Sequence, residues 1–379
     1  MDNSIQQLAE NILLIASQKT WIEGNAVQQL QTTAKLDGMK QVVGLPDLHA
    51  GRGYPIGAAF FSVGTLYPAL IGGDIGCGMA LWQTTIKQSG LHLDKLEKRI
   101  GNIDKRLETE NILQIFPEIR PLADGTFACG TIGAGNHFAE LLSLDTVYCR
   151  ETAAEIGLNK KCLQLLIHSG SRGIGGEILR RHIELFGHRG LSDNSPNLAD
   201  YLIQHQFALA YAEQNRQLIA RQILANLAAQ GECLLDIPHN FVEQAEFGGQ
   251  QGWLHRKGSA PSDQGLVIIP GSRGSYSYLV RPTETDVALR SLAHGAGRKW
   301  NRNECKGRLS HYIQQEQLVR TEFGSRVICR NKDLLYEEAP QAYKSIETII
   351  DTLLQAGLIT LIARFKPRLT YKVNQEESQ

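Results

Sequence analysis

The sequence predicts a fold that mixes buried β-strands with packed helices and carries its chemistry on glycine-rich loops. Short apolar runs broken by Pro and Gly between residues 41 and 85 are typical of buried strands joined by functional loops. Residues 196–230 are rich in Ala, Leu and Gln with few breakers, which predicts one or two packed helices without chemistry. The 37 glycines among 379 residues exceed the usual share of roughly 7% and gather around histidines. This distribution favours loops that approach a ligand over flexible linkers.

Three further helices are predicted from spacing and end signals. Apolar residues recur at helical spacing over residues 4–18, which predicts an amphipathic helix packed on the body of the protein. Residues 91–113 have the pattern of a surface-facing helix. Residues 338–357 predict a C-terminal amphipathic helix, because Pro340 is suited to a first helical turn and Gly357 to a stop.

Strands are predicted where a short apolar run ends at a polar loop. Such runs occupy residues 163–167, 234–237 and 267–269, and a longer strand-like stretch covers residues 358–372. The first two runs end directly before a histidine or a Pro-His pair, and the third ends before a Ser/Gly-rich loop. Strand ends therefore coincide with the residues that carry chemistry.

Charge and cysteine content restrict the possible environments. The 39 basic and 39 acidic residues balance, which argues against a generic nucleic-acid coat. Between residues 252 and 308, however, ten basic residues face four acidic ones, which predicts either a phosphate-binding face or a solvated surface. Seven scattered cysteines give no disulfide framework and favour a reducing compartment. Without a basic leader or an apolar run of about 18 residues, we expect a cytoplasmic protein.

The stretch Gly72-Gly73-Asp74-Ile75-Gly76-Cys77-Gly78 places a carboxylate and a thiol three residues apart among glycines. Glycine permits tight turns and close approach of another group to the backbone. The pair therefore suggests a metal site, and a tight turn around a small buried thiol is the alternative.

Three histidines strengthen the metal interpretation. His137 follows a glycine-rich loop, and His168 and His239 each stand at the exit of a predicted strand. A single histidine in such a place is more often a hydrogen-bonded loop residue. Together with Asp74 and Cys77, the three form a plausible ligand set for one or two divalent metals such as Zn, Mn or Co.

Two downstream loops have the composition of anion sites. Residues 270–277 combine small residues, which offer backbone N–H groups and hydroxyls, with the fixed charge of Arg273. A Ser/Gly-rich hairpin loop is the alternative there. In residues 291–298, His294 precedes Gly295 and Gly297, so backbone amides could hold a phosphate while the imidazole faces it.

Nine ordered blocks of the chain resemble the RtcB RNA ligases. They are Pro46-Asp47-Leu48-His49, Asp74-Ile75-Gly76-Cys77-Gly78, Gly133-Ala134-Gly135-Asn136-His137-Phe138-Ala139-Glu140, His168-Ser169-Gly170-Ser171-Arg172-Gly173, Pro238-His239-Asn240, His255-Arg256-Lys257-Gly258, Pro270-Gly271-Ser272, His294-Gly295-Ala296-Gly297-Arg298 and Glu338-Ala339-Pro340-Gln341-Ala342-Tyr343-Lys344. The resemblance covers residues 46–372. The chain looks most like a shorter bacterial branch that is often encoded beside a release-factor homologue.

The resemblance implies a single RtcB-like α+β domain over residues 1–379, with central β-sheets, surrounding helices and a deep metal and nucleotide cleft. It implies two Mn(II) ions, one bound by Asp74, Cys77 and His137 and the other by Cys77, His168 and His239. His294 matches the family's guanylated nucleophile. The positions that match the family's nucleotide contacts are Asn136, His137, Phe138, Ala139, Glu140, His239, Asn240, Pro270, Gly271, Ser272, Arg273, Ser277, His294, Gly295, Ala296, Gly297, Tyr343 and Lys372.

Two departures from the commoner family pattern bear on substrate preference. Arg273 stands where many members carry Met in a Pro-Gly-Ser-Met-Gly loop, and Lys299-Trp300-Asn301-Arg302 differs from the usual run after His-Gly-Ala-Gly-Arg. Neither departure touches the metal ligands or the nucleophile.

The activity implied is GTP- and Mn(II)-dependent RNA ligation. RNA ends with a 2′,3′-cyclic phosphate or 3′-phosphate would be joined to 5′-hydroxyl ends through a histidine–GMP intermediate, in RNA repair or tRNA processing. We expect Arg172, Arg256, Lys257 and Arg298 to bind RNA phosphates. Two alternatives stay open: a metal-dependent phosphoesterase acting on RNA ends without covalent nucleotide transfer, and a non-catalytic RNA-binding relative, for which a lost ligand would be expected.

Overall fold

A computed structural model describes residues 4–104 and 128–373. The strands are β1 (Ile5–Ala9), β2 (Ile12–Ile15), β3 (Met39–His49), β4 (Ile56–Ser62), β5 (Thr65–Leu66), β6 (Gly78–Lys87), β7 (Phe138–Val147), β8 (Cys162–Ser169), β9 (Leu191–Ser192), β10 (Gly231–Pro238), β11 (Asn240–Phe247), β12 (Gln250–Lys257), β13 (Ser259–Pro261), β14 (Val267–Pro270), β15 (Ser277–Pro282), β16 (Ser291–Ala293), β17 (Arg326–Cys329) and β18 (Ile359–Val373). The helices are α1 (Gly24–Thr33), α2 (Leu93–Ile100), α3 (Arg150–Glu155), α4 (Ile174–Phe186), α5 (Pro196–Asn226), α6 (Arg302–Leu309), α7 (Gln315–Leu318), α8 (Lys332–Glu337) and α9 (Ile346–Gln355), with 3₁₀ turns at Pro68–Leu70 and Pro340–Ala342.

Two large sheets form the centre of the fold. One has the order β1-β2-β3-β4-β12-β11, and the other has the order β10-β6-β8-β7-β18-β15-β14 with β17 beside β18. Neighbouring strands are antiparallel except for the pairs β2–β3 and β17–β18. Short two-stranded sheets β13-β16 and β5-β9 complete the described strands. This arrangement of sheets with peripheral helices confirms the α+β prediction.

The two large sheets share one hydrophobic core. Phe61 and Leu254 from the first sheet pack in the same buried cluster as Val280 and Ile359 from the second, together with Ile349 of α9. A second cluster packs α5 against β6, β7 and β8. The strands that carry the predicted metal ligands are therefore held by packed cores, which limits their movement.

Helix α5 contributes to the site, contrary to the prediction of a helix without chemistry. Asn215 accepts a hydrogen bond from the Gly130 backbone N–H at 2.7 Å and donates one to the Ser169 hydroxyl at 2.9 Å. Arg216 is buried, pairs with Asp236 and donates to the Gly76 carbonyl oxygen at 2.7 Å. The helix thus joins three of the loops that carry metal ligands.

The N-terminal helix prediction is wrong. Residues 5–15 form the antiparallel hairpin β1–β2, with Ile5 opposite Ile15, and β2 then pairs in parallel with β3. Burial of Ile12, Leu14 and Ile15 against the first sheet outweighs the helical spacing.

The C-terminal helix begins later than its sequence signals indicate. Helix α9 begins at Ile346, where the Ser345 hydroxyl accepts a hydrogen bond from the Thr348 backbone N–H. Residues 340–342 form a separate 3₁₀ turn, and Tyr343 is extended. The helix predicted over residues 91–113 is α2 as far as residue 100, and residues 105–113 of that prediction lie outside the described residues. The long strand predicted over residues 358–372 is confirmed as β18.

Candidate metal and nucleotide site

The antiparallel strands β10, β6, β8 and β7 bring the predicted metal ligands to one edge of the second sheet. Cys77 immediately precedes β6, His168 lies near the end of β8, and His239 follows β10. Phe138, next to His137, pairs with His168 across β7 and β8. In a pair of antiparallel strands, the end of one strand lies beside the beginning of the other. Residues that are far apart in the sequence therefore meet at the same edge of the sheet.

The five predicted ligands form two groups that share Cys77. In the first, the Cys77 Sγ lies 3.1 Å from the His168 Nε2, which lies 3.3 Å from the His239 Nε2. In the second, the Cys77 Sγ lies 3.3 Å from the His137 Nε2, which lies 2.9 Å from an Asp74 carboxylate oxygen. Within each group the ligand atoms lie within 4.8 Å of one another, close enough to hold one metal ion.

The tautomer of His168 favours a metal ligand. Its Nδ1 lies 3.2 Å from the Asn136 carbonyl oxygen, an acceptor that requires the proton on Nδ1. The Nε2 lone pair then points towards His239 and Cys77. Burial lowers the pKa of His168 and of His239 well below the usual range, so both imidazoles are neutral and available to a cation.

The thiol and the carboxylate have opposite pKa shifts. Burial, and then the Asp74 carboxylate, raise the pKa of Cys77 well above its usual range. Burial opposes ionisation of Asp74, but the neighbouring His137 lowers the pKa of this carboxyl to about 2. A divalent cation would favour the thiolate. A Cβ on Gly170 would lie 2.2 Å from Asp74 Oδ1, so the carboxylate reaches this place only beside a glycine.

His294 adjoins the ligand cluster and is oriented by Asp47. Its ring centroid lies 4.7 Å from that of His239, and its Nδ1 lies 2.7 Å from Asp47 Oδ2. The His294 backbone N–H donates to the same oxygen at 3.2 Å. Because a carboxylate can only accept from Nδ1, the Nε2 of the neutral ring keeps its lone pair. Gly297, at φ +71°, passes so close to the Asp47 backbone that a Cβ would lie 2.2 Å from its carbonyl oxygen.

Asp47 was not among the predicted site residues, although it lies in one of the nine blocks. It is a fully buried acid between buried apolar residues of β3. An acid inside an apolar strand is the sequence signal that could have found it, since buried carboxylates require a partner.

His168 and His294 line a cleft of about 980 Å³ that also contains most of the predicted nucleotide contacts. The predicted contacts that line it are Asn136, Phe138, Glu140, Pro270, Gly271, Ser272, Arg273, His294, Gly295, Ala296, Gly297, Tyr343 and Lys372. His137 and His239 lie behind this wall in the ligand cluster.

Three further predicted nucleotide contacts, besides His137 and His239, lie outside the cleft wall. Ala139 packs into the core beneath β7, and Ser277 is buried opposite Pro270 in the β14–β15 pair. The Asn240 side chain donates to the Asp74 carbonyl oxygen at 3.1 Å and accepts from the Gly258 N–H at 2.6 Å. Asn240 therefore connects the Asp74 loop to the end of β12.

Glu338 was also not among the predicted site residues. Its carboxylate accepts hydrogen bonds from four side chains in the cleft wall. Arg298 and Arg302 donate to its Oε1 at 3.1 and 2.8 Å, while Tyr343 and Lys372 donate to its Oε2 at 2.6 and 3.0 Å. Burial opposes the charge, but Lys372 and the two arginines hold the pKa of this carboxyl far below its usual range. Glu338 thereby fixes the positions of one predicted RNA contact and two predicted nucleotide contacts.

Burial disfavours the charged form of two side chains in the cleft wall, Glu140 and Arg273. Burial raises the pKa of Glu140 to about 8, and the Thr370 hydroxyl donates to it at 2.5 Å. Arg273 is 6% exposed and donates from Nη2 to the Leu335 carbonyl oxygen at 2.8 Å. Its Nε and Nη1 find no acceptor in the described part of the chain. Buried donors without partners are costly unless a ligand satisfies them.

The four predicted RNA contacts have different surroundings. Lys257 lines the cleft, and burial lowers its pKa to about 8. Arg298 lines it as well but is bonded to Glu338. Arg172 lies against Gly133 and donates to the Thr131 hydroxyl at 3.2 Å.

Arg256 is separated from solvent. Its side chain is fully buried and forms an ion pair with Glu243 and hydrogen bonds to the Ser291 hydroxyl and the Arg290 carbonyl oxygen, each at 3.0 Å. With its donors satisfied inside the protein, Arg256 has a structural role, and we withdraw it from the predicted RNA contacts.

Comparison with known proteins identifies the family. The family model described as tRNA-splicing ligase RtcB matches residues 29–115 and 118–373. The chain belongs to the RtcB family. It is 54% identical over 372 residues to the RNA-splicing ligase RtcB2 of an Escherichia coli strain, an alignment that covers 98% of each chain. It is 29% identical to the tRNA-splicing ligase RtcB of Archaeoglobus fulgidus, over 91% of this chain and 90% of that one.

A further RtcB relative, the RNA-splicing ligase of Escherichia coli K12, is 28% identical over 90% of this chain and 92% of its own. Membership of the RtcB family supports RNA ligase activity for this chain, and the chain's own ligand cluster around Cys77 offers a possible metal site. In the described ranges, helices that combine the length and the apolar character needed to span a bilayer are absent.

Proposed function

We propose that this RtcB protein is a GTP- and Mn(II)-dependent RNA ligase that joins 2′,3′-cyclic phosphate or 3′-phosphate ends to 5′-hydroxyl ends in the cytoplasm. The observation that carries the proposal is the pairing of His294 Nδ1 with buried Asp47 at 2.7 Å, directly beside the Cys77 ligand cluster. An imidazole held in one tautomer next to a cation site has the properties of a nucleophile towards phosphorus.

The ligand cluster would hold two Mn(II) ions. Asp74, Cys77 and His137 would bind one and Cys77, His168 and His239 the other, with the Cys77 thiolate shared. The lone pair of His168 and the lowered pKa values of His168 and His239 support this assignment. Bound divalent ions would neutralise the charge that develops during phosphoryl transfer.

His294 would carry the nucleotide. Its Nε2 attacks the α-phosphorus of GTP, so an N–P bond forms, the bond to the β-phosphate oxygen breaks, and pyrophosphate leaves. The Nδ1 proton stays in the hydrogen bond to Asp47, which stabilises the charge on the ring. The 3′-phosphate, produced by hydrolysis where the end is cyclic, then displaces His294 and takes the GMP. The incoming 5′-hydroxyl finally displaces GMP and closes the strand.

The Glu338 side of the cleft would hold the guanylate. Lys372 and Tyr343 are kept in place by Glu338, and Arg273 brings buried donors that require an acceptor. Guanine and phosphate both offer acceptors, and Glu140 could accept from the guanine N–H groups. Arg172, Lys257 and Arg298 remain the proposed RNA phosphate contacts, and a functional link to a release-factor homologue stays a prediction.

The proposal is tested by incubating the protein with Mn(II) and GTP labelled on the α-phosphate. We expect a labelled protein adduct that is stable to alkali and labile to acid, that is lost in His294→Ala, and that is retained in His311→Ala, which alters an exposed histidine. The same preparations are then given a nicked RNA with 3′-phosphate and 5′-hydroxyl ends. Absence of the adduct together with removal of the end phosphate would instead favour the phosphoesterase alternative. Absence of adduct, sealing and phosphate removal would indicate a non-catalytic RNA-binding protein.

A further inference from the structure

The cleft has a second wall that the proposed guanylate and metal contacts do not use. Its residues are Arg52 and Tyr54 from the loop between β3 and β4, Leu179 and Ile183 from α4, His188 after α4, and Lys257 at the end of β12; we call them the Tyr54 wall. The Glu338 side is built by other elements, mainly β7, β18 and the loops that follow β14 and β16. One cleft therefore presents two chemically different walls.

The Tyr54 wall offers aromatic and apolar surface to a ligand. The rings of Tyr54 and His188 are 6.3 Å apart between centroids and tilted by 59°. Leu179 and Ile183 contribute partly buried aliphatic surface, and Arg52 is exposed at the edge. Aromatic rings beside apolar and basic side chains are the composition that binds the bases of single-stranded nucleic acid.

Lys257 connects this wall to the reactive centre. Its ammonium lies 5.8 Å from the centroid of the Tyr54 ring and 3.4 Å from the Tyr54 carbonyl oxygen. The next residue, Gly258, is so close to the nucleophile that a Cβ there would lie 2.9 Å from His294 Cε1. A positive charge therefore lies beside Tyr54, on the residue that precedes the contact with the nucleophile.

Ligation requires two ligands at one centre at the same time, the activated 3′ end and the strand with the 5′-hydroxyl. The cleft, at about 980 Å³, lies at the upper end of the range for ligand sites and can accommodate more than one nucleoside. Because the Glu338 side supplies the hydrogen-bonding groups suited to guanylate, the Tyr54 wall remains available to the RNA strand that carries the 5′-hydroxyl.

We propose that Tyr54 and His188 form a stacking site for the first nucleobase of the RNA strand that brings the 5′-hydroxyl, with the Lys257 ammonium facing the phosphate at the junction. The inference rests on the proposed ligase function. It assigns to Tyr54 and His188 the role of residues that bind the acceptor strand, which act on its KM.

The test compares two acceptor strands that differ only in their first nucleotide, which is normal or abasic. For the wild-type protein, we expect loss of the base to raise the acceptor KM about 5- to 150-fold, the range that stacking on one aromatic side chain supplies. Tyr54→Ala should raise the KM for the normal acceptor by the same factor, and it should not raise the KM for the abasic acceptor any further. Tyr54→Phe and Tyr54→Trp, which keep a ring, should retain the difference between the two acceptors.

A matched control is Tyr148→Ala, which removes a tyrosine that is 45% exposed outside the cleft and should leave both KM values unchanged. Equal KM values for the two acceptors in the wild type, or a full abasic effect in Tyr54→Ala, would overturn the inference. The GMP adduct on His294 is measured on the same preparations. A normal adduct without a base effect rejects only this inference, whereas absence of the adduct in the wild type rejects the ligase proposal.

Discussion

The molecule contains two buried polar clusters, one around Glu338 and one around Cys77, and they differ in how their charges are satisfied. Around Glu338, one carboxylate receives hydrogen bonds from two arginines, a tyrosine and a lysine. Around Cys77, the His168 Nε2 lies 3.1 Å from the buried thiol and 3.3 Å from the His239 Nε2, and the groups that face each other there are mainly acceptors.

This difference distinguishes a polar cluster that stabilises the fold, which we call a scaffold, from one that binds a ligand. A polar cluster whose donors and acceptors match stabilises the fold without a ligand, as the Glu338 cluster does. A buried cluster of acceptors becomes favourable only when a cation enters it. Substitution of a group whose donors and acceptors are paired should therefore mainly lower the free energy of unfolding. Substitution of a group that lacks such partners should mainly lower activity. Four predictions test this rule, in order of decreasing effect.

The largest effect is expected at Asp47. Asp47→Asn should slow formation of the GMP adduct by about 10²- to 10⁴-fold, because the ring of His294 loses the carboxylate that holds its tautomer and stabilises its charge. Single-turnover kinetics with labelled GTP measure the rate, and thermal unfolding reports the fold. A rate within threefold of the wild type would contradict this role for Asp47.

The next largest effect is expected at Glu338 and appears in stability. Glu338→Gln should lower the free energy of unfolding by about 3–5 kcal/mol, since it leaves the buried Lys372 and Arg298 without their carboxylate. Urea denaturation measures the loss. The adjacent Glu337→Gln is the matched control, because its partly exposed carboxylate has one contact at 3.5 Å with Arg302, and we expect a loss below about 1 kcal/mol. Equal losses in the two variants would contradict the scaffold role.

Glu140 should give stability a pH dependence of the opposite sign to that of Glu338. Its pKa is about 8 in the folded protein and near 4.5 when unfolded, so between these values the folded state keeps a proton that the unfolded state has lost. The free energy of unfolding should therefore fall as the pH rises from 6 to 8. We expect a fall about 2 kcal/mol larger in the wild type than in Glu140→Gln.

This pH dependence is measured by urea denaturation of metal-free, nucleotide-free protein at both pH values. The comparison with Glu140→Gln removes the contribution of the histidines, which both proteins share. Parallel pH profiles of the wild type and the variant would show that Glu140 is already ionised in the fold.

The smallest effect is expected at Arg273, where two buried donors lack acceptors among the described residues. Arg273→Met should raise the KM for GTP about tenfold while leaving stability unchanged or higher by about 1 kcal/mol, because the buried cation is removed. Adduct formation at varied GTP concentration and urea denaturation measure the two quantities. The exposed Arg180→Met is the control and should change neither quantity by much. A loss of stability with an unchanged KM would place Arg273 among the scaffold residues.

Local patterns predicted the secondary structure well where a segment is either buried throughout or strongly periodic. The strands that end at His168 and His239 were read from short apolar runs, and the long helix from its lack of breakers. Residues 4–18 were misread because their apolar positions fit both a helix and a hairpin, and only the neighbouring β3 decides between them. Helix α9 begins late because Tyr343 is extended and the Lys344 ammonium donates to the Pro46 carbonyl oxygen of β3.

The sequence by itself determined which kinds of ligand atoms this protein carries and that they stand at strand exits beside glycines. Only the tertiary structure decided which polar groups have partners. Asp47 contacts His294 across 247 positions, Arg256 is neutralised by Glu243 inside the protein, and Arg273 has two nitrogen atoms without an acceptor among the described residues. The physical reason is that burial and hydrogen-bond satisfaction arise from contacts between distant segments, and spacing along the chain does not encode them.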